Sequence, residues 1–229
     1  MITKVEDVRI QLSNVCDMSH KKCPVSVYKE RKHLQLKYVT QIIYELSELG
    51  YEKSIGFHCY NEPMIDPRLY YIMDYTRKML PKSEIIMWTN GKILTKELLL
   101  DFSEIGNIRY YVSGYGNNIT KETFNEVGIK KFSLLLMDER KMDDRLYWYD
   151  SSENPLSTPC SAPYKQLSID YMGNVIICCM DWRSSVVFGN IKDSSLIYIL
   201  NSEDMKRTSG ELAVGIRSHK LCMGCRTKR

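Results

Sequence analysis

A chain of 229 residues is long enough for one large domain, or one domain with a small appendage, and can bury a sizeable core. Its 44% hydrophobic and 26% charged content exclude wholesale disorder, and no apolar run approaches membrane-spanning length. The net charge of +4 is mild and scattered, which argues against nucleic acid as a partner and leaves room for an anionic cofactor.

The N-terminal Met1–Asp7 lacks the basic-then-apolar pattern of a signal peptide, so a cytoplasmic location is expected, with no membrane association. In that compartment eight cysteines read better as ligands than as disulfides. Cys59 and Cys179 are the exceptions: taken alone, they read as small buried apolar residues.

Alternation predicts a strand over residues 5–12, then a polar, Lys-rich loop to residue 33. Val39, Ile42, Ile43, Leu46 and Leu49 share one face of a helix over 35–49, which Gly50 stops. A strand over 54–59 runs into Tyr60-Asn61-Glu62-Pro63, and a helix over 68–80 ends at Pro81. The strand 84–88 meets the turn Thr89-Asn90-Gly91, and Thr95 caps a helix through Ile105 that Gly106 ends. Next come a strand over 108–112, a loop over 113–118, a short helix over 120–127 and a strand over 131–137. Strand and helix alternate four or five times, which implies a parallel sheet, open or curled toward a barrel. Parallel strands put their C-terminal ends on one edge, so the loops at 16–23, 61–63, 89–91 and 113–118 are expected to converge.

The pattern changes after 137. Residues 138–163 are polar and carry three prolines, as a connection would. Two alternating runs around Gly173-Asn174 predict a hairpin ending at Cys178. A helix over 194–205 and a loose tail with Cys222-x-x-Cys225 complete the chain.

Two sets of soft ligands stand out. Cys160, Cys178, Cys222 and Cys225 are four thiols around the hairpin, suited to structural zinc or to a [4Fe–4S] cluster, and the split first pair favours the cluster. Cys16-x3-His20-x2-Cys23 offers three ligands and leaves a fourth position open, as a metal or cluster that binds a substrate or cofactor requires.

These stretches together resemble the radical SAM enzymes that carry a C-terminal twitch, or short SPASM-type, extension. The resemblance runs through Leu12–Cys16, Cys23-Pro24, Phe57–Pro63, Ile85–Gly91, Gly173–Cys178, Phe188–Ile191 and Cys222-x-x-Cys225, nearly the whole chain. It lies nearest to the aminocyclitol dehydrogenases of that family. It implies an α/β fold: a partial (β/α)6 TIM-like barrel over 1–150 and a small C-terminal β-hairpin plus helix (twitch) unit over 151–229. It implies a SAM-binding [4Fe–4S] cluster on Cys16, His20 and Cys23. S-adenosyl-L-methionine would lie among Asn61, Glu62, Pro63, Thr89, Asn90 and Ser113. An auxiliary [4Fe–4S] cluster would sit on Cys160, Cys178, Cys222 and Cys225, with Cys178 preferred to Cys179 because the Gly-Asn-Val-x-x-Cys run ends there. The implied activity is reductive cleavage of S-adenosylmethionine and hydrogen abstraction from a small polar molecule or a modified residue, with dehydrogenase-type oxidation. A flavodoxin- or ferredoxin-type donor would supply the electron.

The sequence departs from the family at three places. His20 stands where the family has cysteine, and Lys22 where it has an aromatic or apolar residue. No arginine lies in Asp150–Glu153, where the dehydrogenases supply one to their substrate; Arg140 and Arg145 are the nearest. The departures at His20 and Lys22 motivate a rival expectation: a degenerate homologue that keeps only the auxiliary cluster and serves as a binding or partner module. A zinc protein with two Cys/His sites is the third.

Overall fold

The computed structural model describes residues 4–18, 20–114, 119–136, 145–146 and 157–225. The expected boundary at 150/151, Arg140, Asp150–Glu153 and most of the loop after Gly114 lie outside them. Five strands alternate with four helices in the N-terminal part. They are β1 (Asp7–Ile10), α1 (Leu36–Glu48), β2 (Ser54–Gly56), α2 (Leu69–Met79), β3 (Glu84–Thr89), α3 (Lys96–Ile105), β4 (Ile108–Gly114), α4 (Lys121–Glu126) and β5 (Phe132–Leu136). The C-terminal part holds α5 (Ala162–Lys165), β6 (Gln166–Ile169), β7 (Asn174–Ile176), β8 (Val187–Asn190), α6 (Leu196–Leu200), α7 (Glu203–Ala213) and α8 (Lys220–Met223).

All eight strands form one open sheet in the order β5-β4-β3-β2-β1-β6-β7-β8. Six are parallel. The sixth, β6, lies beside β1 and not beside β5, with Val8 opposite both Ile55 and Leu167. The hairpin strands β7 and β8 continue the sheet antiparallel.

Alternation gives this sheet two unlike faces. Val8, Ile10, Ile55, Ile85, Met87, Val112, Leu167 and Ile169 are buried with Val39, Ile43, Leu46, Ile72 and Leu99 of the helices. Each such side chain contributes roughly 1.5–3 kcal/mol by leaving water. The opposite face mixes polar and aromatic side chains: Arg9 lies opposite Gly56 and Ser168, and Trp88 opposite Tyr111. A parallel sheet covered on both sides would carry apolar residues on both. The mixed face marks the side on which a site can be built.

Thr95 Oγ1 accepts from Leu98 N at 3.3 Å, the expected cap of α3. Two expected elements differ. Strand β2 ends at Gly56, because Asn61 folds the following loop on itself: its Oδ1 accepts from Cys59 N at 3.0 Å and its Nδ2 donates to Phe57 O at 3.1 Å. The helix expected over 194–205 is two helices, broken at Asn201-Ser202, where Ser202 Oγ accepts from Met205 N and restarts the turn. The tail expected to be loose is mostly helical. Small polar Thr208 and Ser209 on the buried face of α7 conceal its apolar period.

Candidate functional site

The C-terminal edge of the parallel strands gathers three of the four expected loops. Glu62 is their junction. Its backbone N–H donates to Val15 O at 2.9 Å, which ties the β2 loop to the thiol loop. Its carboxylate accepts from Thr89 Oγ1 at 2.7 Å, Asn90 N at 2.7 Å and Met64 N at 3.0 Å. Burial pushes the Glu62 carboxyl up to about 7 against these hydrogen bonds. Asn90 Nδ2 in turn donates to Asp17 Oδ1 at 2.7 Å and lies 3.9 Å from Cys16 Sγ. Pro63 begins a single tight turn after Glu62 and is buried. Ser113 lies in β4 beside Leu135 of β5, half-buried.

Cys16 and Cys23 are both half-buried free thiols. Burial pushes the Cys16 thiol up to about 11; the N–H of Met18 opposes this, and Glu62, Asp17 and Cys23 add to it. Burial also raises Cys23, opposed by the Val25 N–H and by the charge of Arg145. His20 joins this loop through its backbone, its carbonyl accepting from Cys23 N at 2.9 Å. Glu62, Asp17 and Cys23 are the charged neighbours of Cys16, and the two thiols are soft donors of the type that ligates iron.

The second set converges without ambiguity. Cys160, Cys178, Cys222 and Cys225 all line one small cavity, with Ala162, Ile177, Met180, Leu212 and Leu221 as its apolar wall. Cys179 turns the other way, its Sγ 3.4 Å from Arg9 Nη1 on the mixed face of the sheet. Burial first, then the neighbouring Cys160 and Cys225, push the Cys222 thiol up to about 12. Among the described residues no three His, Cys, Asp or Glu side chains converge on a single ion. The four thiols surround a space instead, and a multi-atom inorganic group fits that arrangement.

Comparison with known proteins finds one domain match and several whole-chain likenesses. Residues 160–226 match the SPASM iron–sulfur cluster-binding domain. An S-adenosyl-L-methionine-dependent 2-deoxy-scyllo-inosamine dehydrogenase from Niallia circulans is 24% identical over 231 residues, spanning 95% of this chain and 91% of the relative. The crystal structure of BtrN in complex with AdoMet and 2-DOIA superposes with a TM-score of 0.82 at 23% identity, over 97% of this chain and 93% of BtrN. The structure of anSMEcpe with bound AdoMet gives 0.64 at 14% identity, over 97% and 89%.

This chain has the fold of BtrN, with a SPASM-type match at its C-terminal end.

Within that fold the segment after β7 crosses between the two sites. Cys179 meets Arg9 on the sheet, and the Trp182 carbonyl accepts from the Tyr28 hydroxyl at 3.4 Å, five residues past Cys23. Several residues of the two sites carry no local sequence signal. Asp17 holds Asn90 on one oxygen, and Lys92 Nζ lies 3.7 Å from the other. Arg145 donates its backbone N–H to Lys22 O at 3.0 Å, which brings its charge to the thiol loop. Arg217 is buried among the four C-terminal thiols. Each gains its meaning from a distant partner, and only the fold supplies that.

Proposed function

We propose that this chain is a radical SAM oxidoreductase that reductively cleaves S-adenosyl-L-methionine and abstracts hydrogen from a small polar substrate in a dehydrogenase-type oxidation. The observation that carries the reading is the junction at Glu62, which joins the Cys16–Cys23 loop to Thr89 and Asn90 at the C-terminal edge of the sheet. The rival, a degenerate partner module, expects that junction to have lost its purpose.

In this reading Cys16, His20 and Cys23 hold the first cluster, and Asn61, Glu62, Pro63, Thr89, Asn90 and Ser113 surround S-adenosyl-L-methionine. Cys160, Cys178, Cys222 and Cys225 hold the auxiliary cluster. When bound, the reduced first cluster and S-adenosyl-L-methionine supply the radical that takes the substrate hydrogen. The chain's own part is to bind, orient and exclude water. Three protein donors fix the Glu62 carboxylate, which, ionised, would accept from a cofactor ammonium group. Buried Asn90 and Thr89 wall off this corner from solvent. As a ligand, His20 would replace an anionic thiolate by a neutral imidazole and would raise the cluster's potential, as in Rieske centres.

The relative from Niallia circulans is named for 2-deoxy-scyllo-inosamine. The missing arginine in Asp150–Glu153 leads us to assign this chain a different small polar substrate. A flavodoxin- or ferredoxin-type donor is the expected electron source, and residues 151–229 are read as the auxiliary-cluster unit. No helix among the described residues is long and apolar enough to cross a membrane.

Anaerobic reconstitution with iron and sulfide, followed by reductant and S-adenosyl-L-methionine, tests the assignment. Formation of 5′-deoxyadenosine is expected. Its absence with candidate polyol substrates present removes the enzymatic reading and leaves the partner module.

A further inference from the structure

Arg217 is 7% exposed. A guanidinium in that position is expensive unless an anion or a full set of acceptors offsets its lost hydration. Among the described residues its acceptors are backbone carbonyls. Nη2 donates to Thr158 O at 3.1 Å and Nη1 to Cys222 O at the long distance of 3.5 Å. Nε has no partner among the described residues. The acid in this neighbourhood, Asp181, turns its carboxylate to Ser185 N at 2.9 Å, Ser185 Oγ at 2.8 Å and Val186 N at 2.8 Å and makes no ion pair with Arg217. Among the described residues no carboxylate pairs with this guanidinium, which faces an otherwise apolar cavity.

That cavity is the one lined by Cys160, Cys178, Cys222 and Cys225. Four thiolates outweigh the charge of an iron–sulfur core, so the assembled group is an anion, and reduction makes it more negative. A fixed cation beside it stabilises the reduced form more than the oxidised form.

We propose that Arg217 is the charge partner of the auxiliary cluster and raises its reduction potential. It acts through the cluster and is a positioning residue. Its use rests on the oxidoreductase reading. Turning a substrate alcohol into a ketone removes one hydrogen atom and one proton and leaves one electron over. A cluster with a raised potential is a suitable one-electron acceptor for it.

The potential is read by electron paramagnetic resonance during a redox titration. The full chain is used with Cys16→Ala and Cys23→Ala, so that only the auxiliary cluster reports. Arg217→Gln is expected to keep its iron and to shift the midpoint to more negative values, while Arg217→Lys shifts it less. An unchanged midpoint in Arg217→Gln at full iron content overturns the proposal. A second measurement stands whether or not that variant holds iron. Arg217→Met is melted with and without iron, and its iron is challenged with a chelator. Because an unpaired buried cation burdens the empty protein, the variant is expected to raise the melting temperature of the iron-free form and to lose iron faster when loaded. A melting temperature lowered alike in both forms identifies a purely structural arginine and overturns the proposal. Neither measurement involves turnover of S-adenosyl-L-methionine, so a failure here is separable from a failure of the oxidoreductase assignment.

Discussion

Glu62 holds three donors from two loops, so its loss has a calculable cost. Glu62→Ala leaves Thr89 Oγ1, Asn90 N and Met64 N short of an acceptor in a buried corner. A destabilisation of about 3 kcal/mol by urea denaturation is expected, with S-adenosyl-L-methionine binding lost. Its titration gives a separate signature. The carboxyl is raised from the ordinary range to about 7 in the folded state, so between those values the native protein binds more protons than the unfolded one. Stability then falls as pH rises through this window and levels off above it. Melting temperatures from pH 5 to 8 are expected to show that slope in the parent and a flatter one in Glu62→Gln. His20 invites an equally direct trial. Restoring the thiolate with His20→Cys is expected to move the first cluster's midpoint to more negative values, and His20→Ala to lower its iron occupancy. A midpoint that does not move in His20→Cys means that the imidazole is not a ligand.

The elements explain why the four C-terminal thiols meet although Cys160 and Cys222 are far apart in sequence. Cys160 N donates to Leu212 O at 2.8 Å, so the thiol is anchored to the end of α7. Just beyond α7, Gly215 turns with φ +86° against the Ser157 carbonyl, where any Cβ would collide with backbone. Gly215→Ala must therefore push residues 157–160 away from α7. The expected outcome is loss of the auxiliary iron, about half of the total, with the first cluster's signal retained; iron analysis and absorption spectra decide it. This contact was invisible in the sequence, where the tail reads as loose. By contrast, the convergence of residues 16–23, 61–63 and 89–91 was legible, because alternating strands and helices force parallel strand ends onto one edge whatever the side chains are. Helix caps such as Thr95 were legible for a similar reason, since their chemistry is local. The position of β6 beside β1 was not, because register between distant strands depends on which edge is left open, and no short window of sequence records that. The structure brings the expected thiols together at 160, 178, 222 and 225 but gives no local reason for Arg217.

At the scale of the whole molecule, the two parts of the chain share one core. Val175, Ile191, Leu196, Leu200 and Met205 of the C-terminal part are buried with Val8 and Ile43 of the N-terminal part. The backbone N–H of Leu196 at the start of α6 donates to Glu45 of α1. Full loading is expected to give about eight iron per chain, and Cys178→Ser about four. A shared core also predicts that urea unfolding of the iron-loaded chain is a single transition by fluorescence and circular dichroism.

The pairing of β1 on both sides carries a further consequence, for how the chain is born. One edge of β1 finds β2 early in synthesis, whereas the other waits for β6, which leaves the ribosome only after more than a hundred further residues. At ordinary elongation rates that strand stands half-paired for roughly five to twenty seconds. During that interval its exposed amides offer a template to any neighbouring nascent chain. Yield in a heterologous host should accordingly improve when translation is slowed by cold or chaperones are raised, and nascent chains arrested before residue 166 should pellet where chains arrested after the hairpin do not.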